Sequence, residues 1–456
     1  MNIANEQAQR ARIVAVPGWA TVDYSETRFV VRPIHEDKAR FVATYTTLSQ
    51  MFLSYFTDEV LRAIWDHYPR DHWAYAKANG HFAAISKGAF NKALIVKYMA
   101  VYIRIMGIQD APKENRNNKD ALRKAVSESV DYFESNYGNH PGHSFSTILK
   151  LFSKFHVPVE LSERLSLEFE NKLDVLGRAL ACDEKLLHFT GDTGWIRLVQ
   201  TKPDRIGLWF YEACVTLSNG LPYLVHAWLS TTNASEGTST SVAECVAKWA
   251  NIIVRATERN NANKNTLLVM DSYYTSKDSI IACQQKEVLF VAAINSARCK
   301  QYRDTMNALG VNISKAGELG VIWHGTDKLL FIHHIDSNAD IGTKYVITNA
   351  FELNPYTNRS SNGVKFGYDH YKYLFSTCDA FNRNLRDKKF CHRAGGGTKT
   401  GQSGHIHKYF MAAAVQNVIN ATATINRIPV EEMASFEVTC IDLSNQLWQY
   451  AMSLDQ

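Results

Sequence analysis

The sequence predicts an α/β protein: a mixed sheet with flanking helices, preceded by an all-α N-terminal region and carrying a β-rich insertion. Three observations predict it. The hydrophobic period is helical up to about residue 170 and strand-like after about residue 200. The β-rich runs Arg205 to Leu217 and Tyr223 to Leu229 are separated by Ser218-Asn219-Gly220, a hairpin signal. Beyond the hairpin, helix and strand patterns alternate over Val242 to Thr257, Leu267 to Met270, Lys277 to Gln285 and Val288 to Ile294. A hairpin followed by such alternation gives a sheet of mixed direction.

Length and composition bound the rest. With 456 residues, 46% hydrophobic, 11% aromatic and 21% charged, the chain has ample material for a packed core and several domains. A net charge of +5 is too mild to identify a nucleic-acid binder by itself. The eight cysteines are scattered with no C-x-x-C pair, which argues against a disulfide framework or zinc finger and for a reducing intracellular compartment. No apolar run approaches the roughly 20 residues that span a bilayer, and the start lacks a signal-peptide core, so a soluble, non-secreted protein without a membrane partner is expected.

In chain order, 1–40 is polar, broken by Pro17, Gly18 and Pro33, and reads as an irregular arm. The region 41–172 is expected to be helical. Met51, Phe52, Tyr55, Phe56, Val60, Leu61, Ile64 and Trp65 recur at helix spacing, as do Leu94, Ile95, Tyr98, Val101, Tyr102 and Ile105. Further helical patterns cover Ala121 to Tyr137, Ser144 to Phe155 and Leu161 to Glu170. Aromatic stripes of this kind are core residues in most helical domains. The segment 173–298 holds the hairpin and the alternating elements. Short β-rich pieces at Val321-Ile322-Trp323, Lys328 to Ile335 and Tyr345 to Thr348 suggest that 299–366 is an insertion leaving the sheet. The segment 367–425 carries helices at Tyr371 to Phe390 and Tyr409 to Ala423, and 426–456 reads as a tail of mixed character.

Within this frame, Leu267-Leu268-Val269-Met270-Asp271 reads as a short buried strand delivering one carboxylate, with Thr275 and Ser276 placed to cap the next helix. A carboxylate at the C-terminal end of a central strand lies where open α/β sheets bind ligands, although a lone strand-end Asp also serves as a turn former. Asp183, ahead of the hairpin, and Asp379, on the helix after the insertion, have settings that match it. Three carboxylates from two strands and a helix suit two Mg²⁺ ions about 3.5–4 Å apart, which clamp the attacking and leaving oxygens of a phosphoryl transfer. Such a site requires the three side chains to converge within about 8 Å.

The sequence around these residues resembles the piggyBac-type transposases. Their first block, Asp-Glu, then Phe-x-Gly, then Lys-Pro-x-x-x-Gly, is matched by Asp183-Glu184, Phe189-Thr190-Gly191 and Lys202-Pro203-Asp204-Arg205-Ile206-Gly207. The second is matched by Asp271-Ser272-Tyr273-Tyr274-Thr275-Ser276, with Ser272 where the family has Asn. The third, Val-Asp-x-x-Asp, is matched at Asp379, with Cys378 and Asn382 at the flanking positions. The likeness covers about residues 175 to 425 and extends only loosely over the helical N-terminal part. The family's cysteine-rich zinc module has no counterpart among these residues.

The resemblance implies an RNase H-like catalytic core with Asp183, Asp271 and Asp379 as catalytic residues. The same three, with Asn382, would be ligands for two Mg²⁺ or Mn²⁺ ions. It implies a nuclear protein, a homodimer, and double-stranded DNA as partner, both as transposon ends and as target. The implied reaction is hydrolysis at the element end followed by strand transfer, with hairpin ends on excision and TTAA as the favoured target. Two alternatives stay open. One is a domesticated transposase-derived DNA-binding protein with weak or no catalysis. The other is an unrelated two-metal nuclease of the same fold.

Candidate phosphate contacts are Lys202 and Arg205 in the first block, and Arg383, Arg386, Lys388, Lys389, Arg393 and Lys399 around a glycine-rich loop at Arg393 to Gly404. A solvated helix face is the plainer reading of these charges. The loop is no P-loop, because Lys399 follows Thr398 and no strand leads into it. His405 with His407, His333 with His334, and Cys391 with His392 lack the further ligands a zinc site needs.

Overall fold

The computed structural model describes residues 12–14, 39–43, 45–66, 90–108, 127–128, 131–132, 135, 159–188, 195–200, 206–231, 241–294, 319–324, 327–335, 343–349, 363–386 and 399–454. In chain order the first elements are strands β1 (Arg12–Val14) and β2 (Arg40–Phe41), then helices α1 (Leu48–Tyr55), α2 (Asp58–Asp66), α3 (Lys92–Ile108) and α4 (Val159–Asn171). Next come β3 (Leu173–Val175), β4 (Ala179–His188), β5 (Ile196–Leu198), β6 (Ile206–Thr216), β7 (Pro222–Leu229) and α5 (Val242–Arg259). They are followed by β8 (Leu267–Met270), α6 (Lys277–Gln285), β9 (Leu289–Ile294), β10 (Leu319–His324), β11 (Asp327–Ile335) and β12 (Thr343–Thr348). Helices α7 (Gly363–Arg386), α8 (Lys399–Ile425) and α9 (Phe436–Leu454) close the chain.

Among the described residues, ten strands form one sheet in the order β1-β10-β11-β12-β9-β8-β4-β6-β5, with β7 also on β6. The middle is mixed, as expected: β4 pairs antiparallel with β6 and parallel with β8, and β8 pairs parallel with β9. The β6–β7 hairpin turns at Ser218-Asn219-Gly220, where Gly220 takes φ +85°, a left-handed conformation that a side chain resists. Local sequence chemistry sets the helix starts. Ser241 and Glu244 form a reciprocal capping box at α5, and the Ser276 hydroxyl accepts from the Ser279 amide at α6.

The two faces of the sheet bury different sets. On one, Tyr211 and Trp228 meet Trp249 of α5 and Tyr274 in edge-to-face contacts with centroids 4.7–6.3 Å apart. On the other, Phe210 packs on Tyr409 and Phe410 of α8. Asn417 of α8 adds a polar tie, accepting from the Leu224 amide at 2.9 Å and donating to the Leu224 carbonyl at 2.8 Å.

Several expectations need correction. The strands of 299–366 do not leave the sheet: β12 pairs antiparallel with β9, so β10, β11 and β12 extend it as a meander, with Lys328 to Ile335 inside it. The arm 1–40 is not wholly irregular, because Arg12–Val14 pairs in parallel with β10 and β2 pairs with β3 across the expected boundary at 172. The tail 426–456 contains α9, whose Phe436, Cys440, Leu443, Leu447, Trp448 and Ala451 are buried and which packs against α3 and α1. Lys399 to Gly404, expected in a loop, begins α8, and the helix around Asp379 runs from Gly363 to Arg386. The helical patterns at Ala121 to Tyr137 and Ser144 to Phe155 fall mostly or wholly outside the described residues. Among the described residues no helix is long and apolar enough to cross a membrane.

Candidate active site

Asp183 lies in the middle of β4, and the register decides its surroundings. Cys182 is level with Met270 on the parallel strand β8, so Asp183 and Asp271 are the next residues along two adjacent strands. On the other side Asp183 stands directly opposite Glu212 of β6. Directly opposed residues share a face. That face is the one packed by α7 and α8, since the Glu212 carboxylate accepts from Asn382 and Tyr409.

Both carboxylates are oriented by backbone amides. Asp183 is buried, and its Oδ1 accepts from the Glu184 amide at 2.8 Å. Asp271 is half-buried, and its Oδ1 accepts from the Tyr273 amide at 2.5 Å. The turn after it is pinned by the Thr275 hydroxyl, near the Asp271 carbonyl (3.0 Å) and the Ala293 carbonyl (2.7 Å). The Tyr273 ring is 51% exposed beside Asp271, whereas Tyr274 is buried and donates to Glu184 Oε2 at 2.7 Å. Burial, with the Glu184 charge beside it, pushes the Tyr274 phenol far up, so it stays a donor.

Helix α7 is fastened to the same sheet by its buried side. The Cys378 thiol donates to the Ala181 carbonyl at 3.1 Å, and the Thr377 and Thr216 hydroxyls are 3.0 Å apart. Burial raises the Cys182 and Cys378 thiols well above their ordinary range, which makes them inert core groups. Asp379 follows Cys378 and is exposed. Asn382, one turn on, donates its amide to Glu212 Oε2 at 2.6 Å, while its Oδ1 is buried without a hydrogen-bond partner.

The structure thus brings Asp271, just beyond the end of β8, next to the level of Asp183 on β4 and fastens the Asp379 helix against β4. Among the described residues, no three or more His, Cys, Asp or Glu side chains stand close enough together to hold a metal ion. The donors suit a hard divalent cation in kind: carboxylate oxygens and the orphaned amide oxygen of Asn382.

Of the proposed phosphate contacts, Arg383 is exposed on α7, Arg386 ends that helix and Lys399 begins α8. Lys202, Arg205, Lys388, Lys389 and Arg393 lie outside the described residues, as do Phe189-Thr190-Gly191. His407 is a core residue, 3.2 Å from the Tyr98 hydroxyl. Glu212 is the site residue that sequence reasoning missed. Its signal was a lone acid in the apolar run Leu208 to Val215, where a buried charge needs partners.

No family model and no curated protein sequence matches the chain. Among solved structures it is similar to a piggyBac transposase in a synaptic complex with hairpin DNA, seen by cryo-electron microscopy. The two share 12% identity at a TM-score of 0.57, covering 92% of this chain and 84% of the other. The chain therefore has the fold of that transposase, a mixed sheet with flanking helices.

Proposed function

We propose that this chain, built on the fold of a piggyBac transposase, is a DNA transposase that hydrolyses phosphodiester bonds at transposon ends and transfers the released strand to target DNA. One observation carries the reading. Asp183 on β4 and Asp271, the residue just after β8, follow the paired Cys182 and Met270 of two parallel strands, and α7, which carries an exposed Asp379, is fastened to β4 through Cys378.

Asp183, Asp271 and Asp379 would hold two Mg²⁺ or Mn²⁺ ions, which activate a nucleophile and neutralise charge on the phosphoryl group. The chain's own groups do the positioning. Backbone amides fix the Asp183 and Asp271 carboxylates, and Thr275 holds the turn after Asp271. Exposed Arg383, one turn beyond Asp379, meets DNA phosphates, and the Tyr273 ring offers a stacking surface for an unpaired base. In this reading the protein works in the nucleus as a homodimer on double-stranded DNA.

A second reading, a domesticated DNA-binding descendant, is favoured by the engagement of Asn382 with Glu212, which leaves that position without a negative charge. Cleavage and binding assays on candidate element ends separate the two. The transposase reading expects Mg²⁺- or Mn²⁺-dependent nicking by the unmodified chain, and for Asp271→Asn a loss of nicking with DNA binding kept. Binding without nicking at any end or metal concentration would leave the domesticated binder.

A further inference from the structure

We propose that Glu212 is a positioning residue: it fixes the Asn382 amide and ties the Asp379 turn of α7 to the sheet, so position 382 must be a hydrogen-bond donor. This rests on the reading of Asp379 as a metal ligand. Glu212 is fully buried, and a buried carboxylate is costly unless its oxygens are satisfied. Both are. Oε2 accepts from Asn382 Nδ2 at 2.6 Å, and Oε1 accepts from the Tyr409 hydroxyl at 2.5 Å. Lys185, two residues along β4 from Asp183, lies on the same face with its ammonium 5.1 Å from the Tyr409 ring centre. One carboxylate therefore joins β6, α7 and α8 on the face that carries Asp183.

The bond has a polarity. A carboxylate accepts and never donates when ionised, so Glu212 dictates that the amide nitrogen of Asn382 faces it. The orphaned Oδ1 is then the atom left for a cation or its hydration water, one helical turn from Asp379. An aspartate at 382 would set two acceptors 2.6 Å apart with no hydrogen between them. The absence of an acid at this position thus follows from the presence of one at 212. Exchanging the two restores the bond in reverse: in Glu212→Gln with Asn382→Asp, the new amide donates to the aspartate while its oxygen still accepts from Tyr409.

The test compares the unmodified chain, Asn382→Asp, and the double variant Glu212→Gln/Asn382→Asp, by urea midpoint and by Mn²⁺ binding followed through the paramagnetic resonance of free Mn²⁺. Asn382→Asp should lower the midpoint and weaken Mn²⁺ binding about tenfold, the scale of losing a group that orients a ligand. The double variant should recover both, and should recover folding itself if Asn382→Asp does not fold. A single variant as stable as the parent with tighter Mn²⁺ binding would overturn the proposal. So would a double variant no better than the single one. DNA nicking is scored separately: its absence in the unmodified chain would sink the transposase reading while the urea midpoints still decide the Glu212–Asn382 bond.

Discussion

Glu170 is fully buried where α4, β7 and α5 meet, and it is held by two arginines of α5 with His226 of β7 beside them. Arg255 donates at 3.1 and 2.7 Å, Arg259 donates at 3.2 Å, and His226 Nδ1 lies at 3.6 Å. Burial would push its carboxyl up, but His226 and Arg255 outweigh it and pull the group down to about 2 from an ordinary 4.5. A carboxyl depressed in the folded state adds stability above its unfolded value, and that contribution is lost as pH falls through the folded one. Glu170→Gln should therefore cost about 3 kcal/mol at pH 7, the low end for breaking a buried pair because both arginines reach solvent. Urea titrations should show the gap between variant and parent closing from about pH 5 downward. A gap independent of pH would mean that packing, not charge, holds the cluster.

The same scale shows what a sequence reveals about a site. The strands that carry Asp183 and lead to Asp271 were legible from short apolar runs in β-rich surroundings. Glu212 was not, since its partners Asn382 and Tyr409 are 170 and 197 residues away.

At the scale of elements, helix starts were legible and sheet edges were not. The α6 bounds Lys277–Gln285 and its Ser276 cap follow from local chemistry, which sequence carries directly. The pairing of β12 with β9 is a non-local choice of hydrogen-bond partner, invisible in short β-rich runs. Helix α9 is a different case. Its buried Phe436, Cys440, Leu443 and Leu447 keep helical spacing and could have been read.

Where α9 crosses α3, a Cβ added at Gly107 would stand 2.6 Å from Cys440 Cβ and 3.2 Å from the Glu437 carbonyl. Replacing a helix glycine by alanine ordinarily gains up to about 1 kcal/mol. Here the clash decides the sign: Gly107→Ala should lose about 1–3 kcal/mol, read as a lower urea midpoint. A rise in midpoint would show that the two helices separate freely. On α7, Arg383→Ala should weaken DNA binding evenly across sequences and lower the salt slope by about 0.9. An unchanged slope would assign Arg383 to ordinary surface charge.

The whole molecule joins segments far apart in sequence around one sheet. β4 lies between β6 and β8, the arm strand β1 lies at the far edge beside β10, and the C-terminal α9 lies on the N-terminal α3. The sheet and the helical region therefore share one buried core rather than standing as separate beads. If Asp379 shares a cation with Asp183 and Asp271, as proposed, iron-directed hydroxyl-radical cleavage will read it. With Fe²⁺ bound in place of Mg²⁺, the backbone should be cut at three places, next to 183, 271 and 379, and excess Mg²⁺ should suppress all three cuts together. Cuts next to 183 and 271 with none next to 379 would contradict the account.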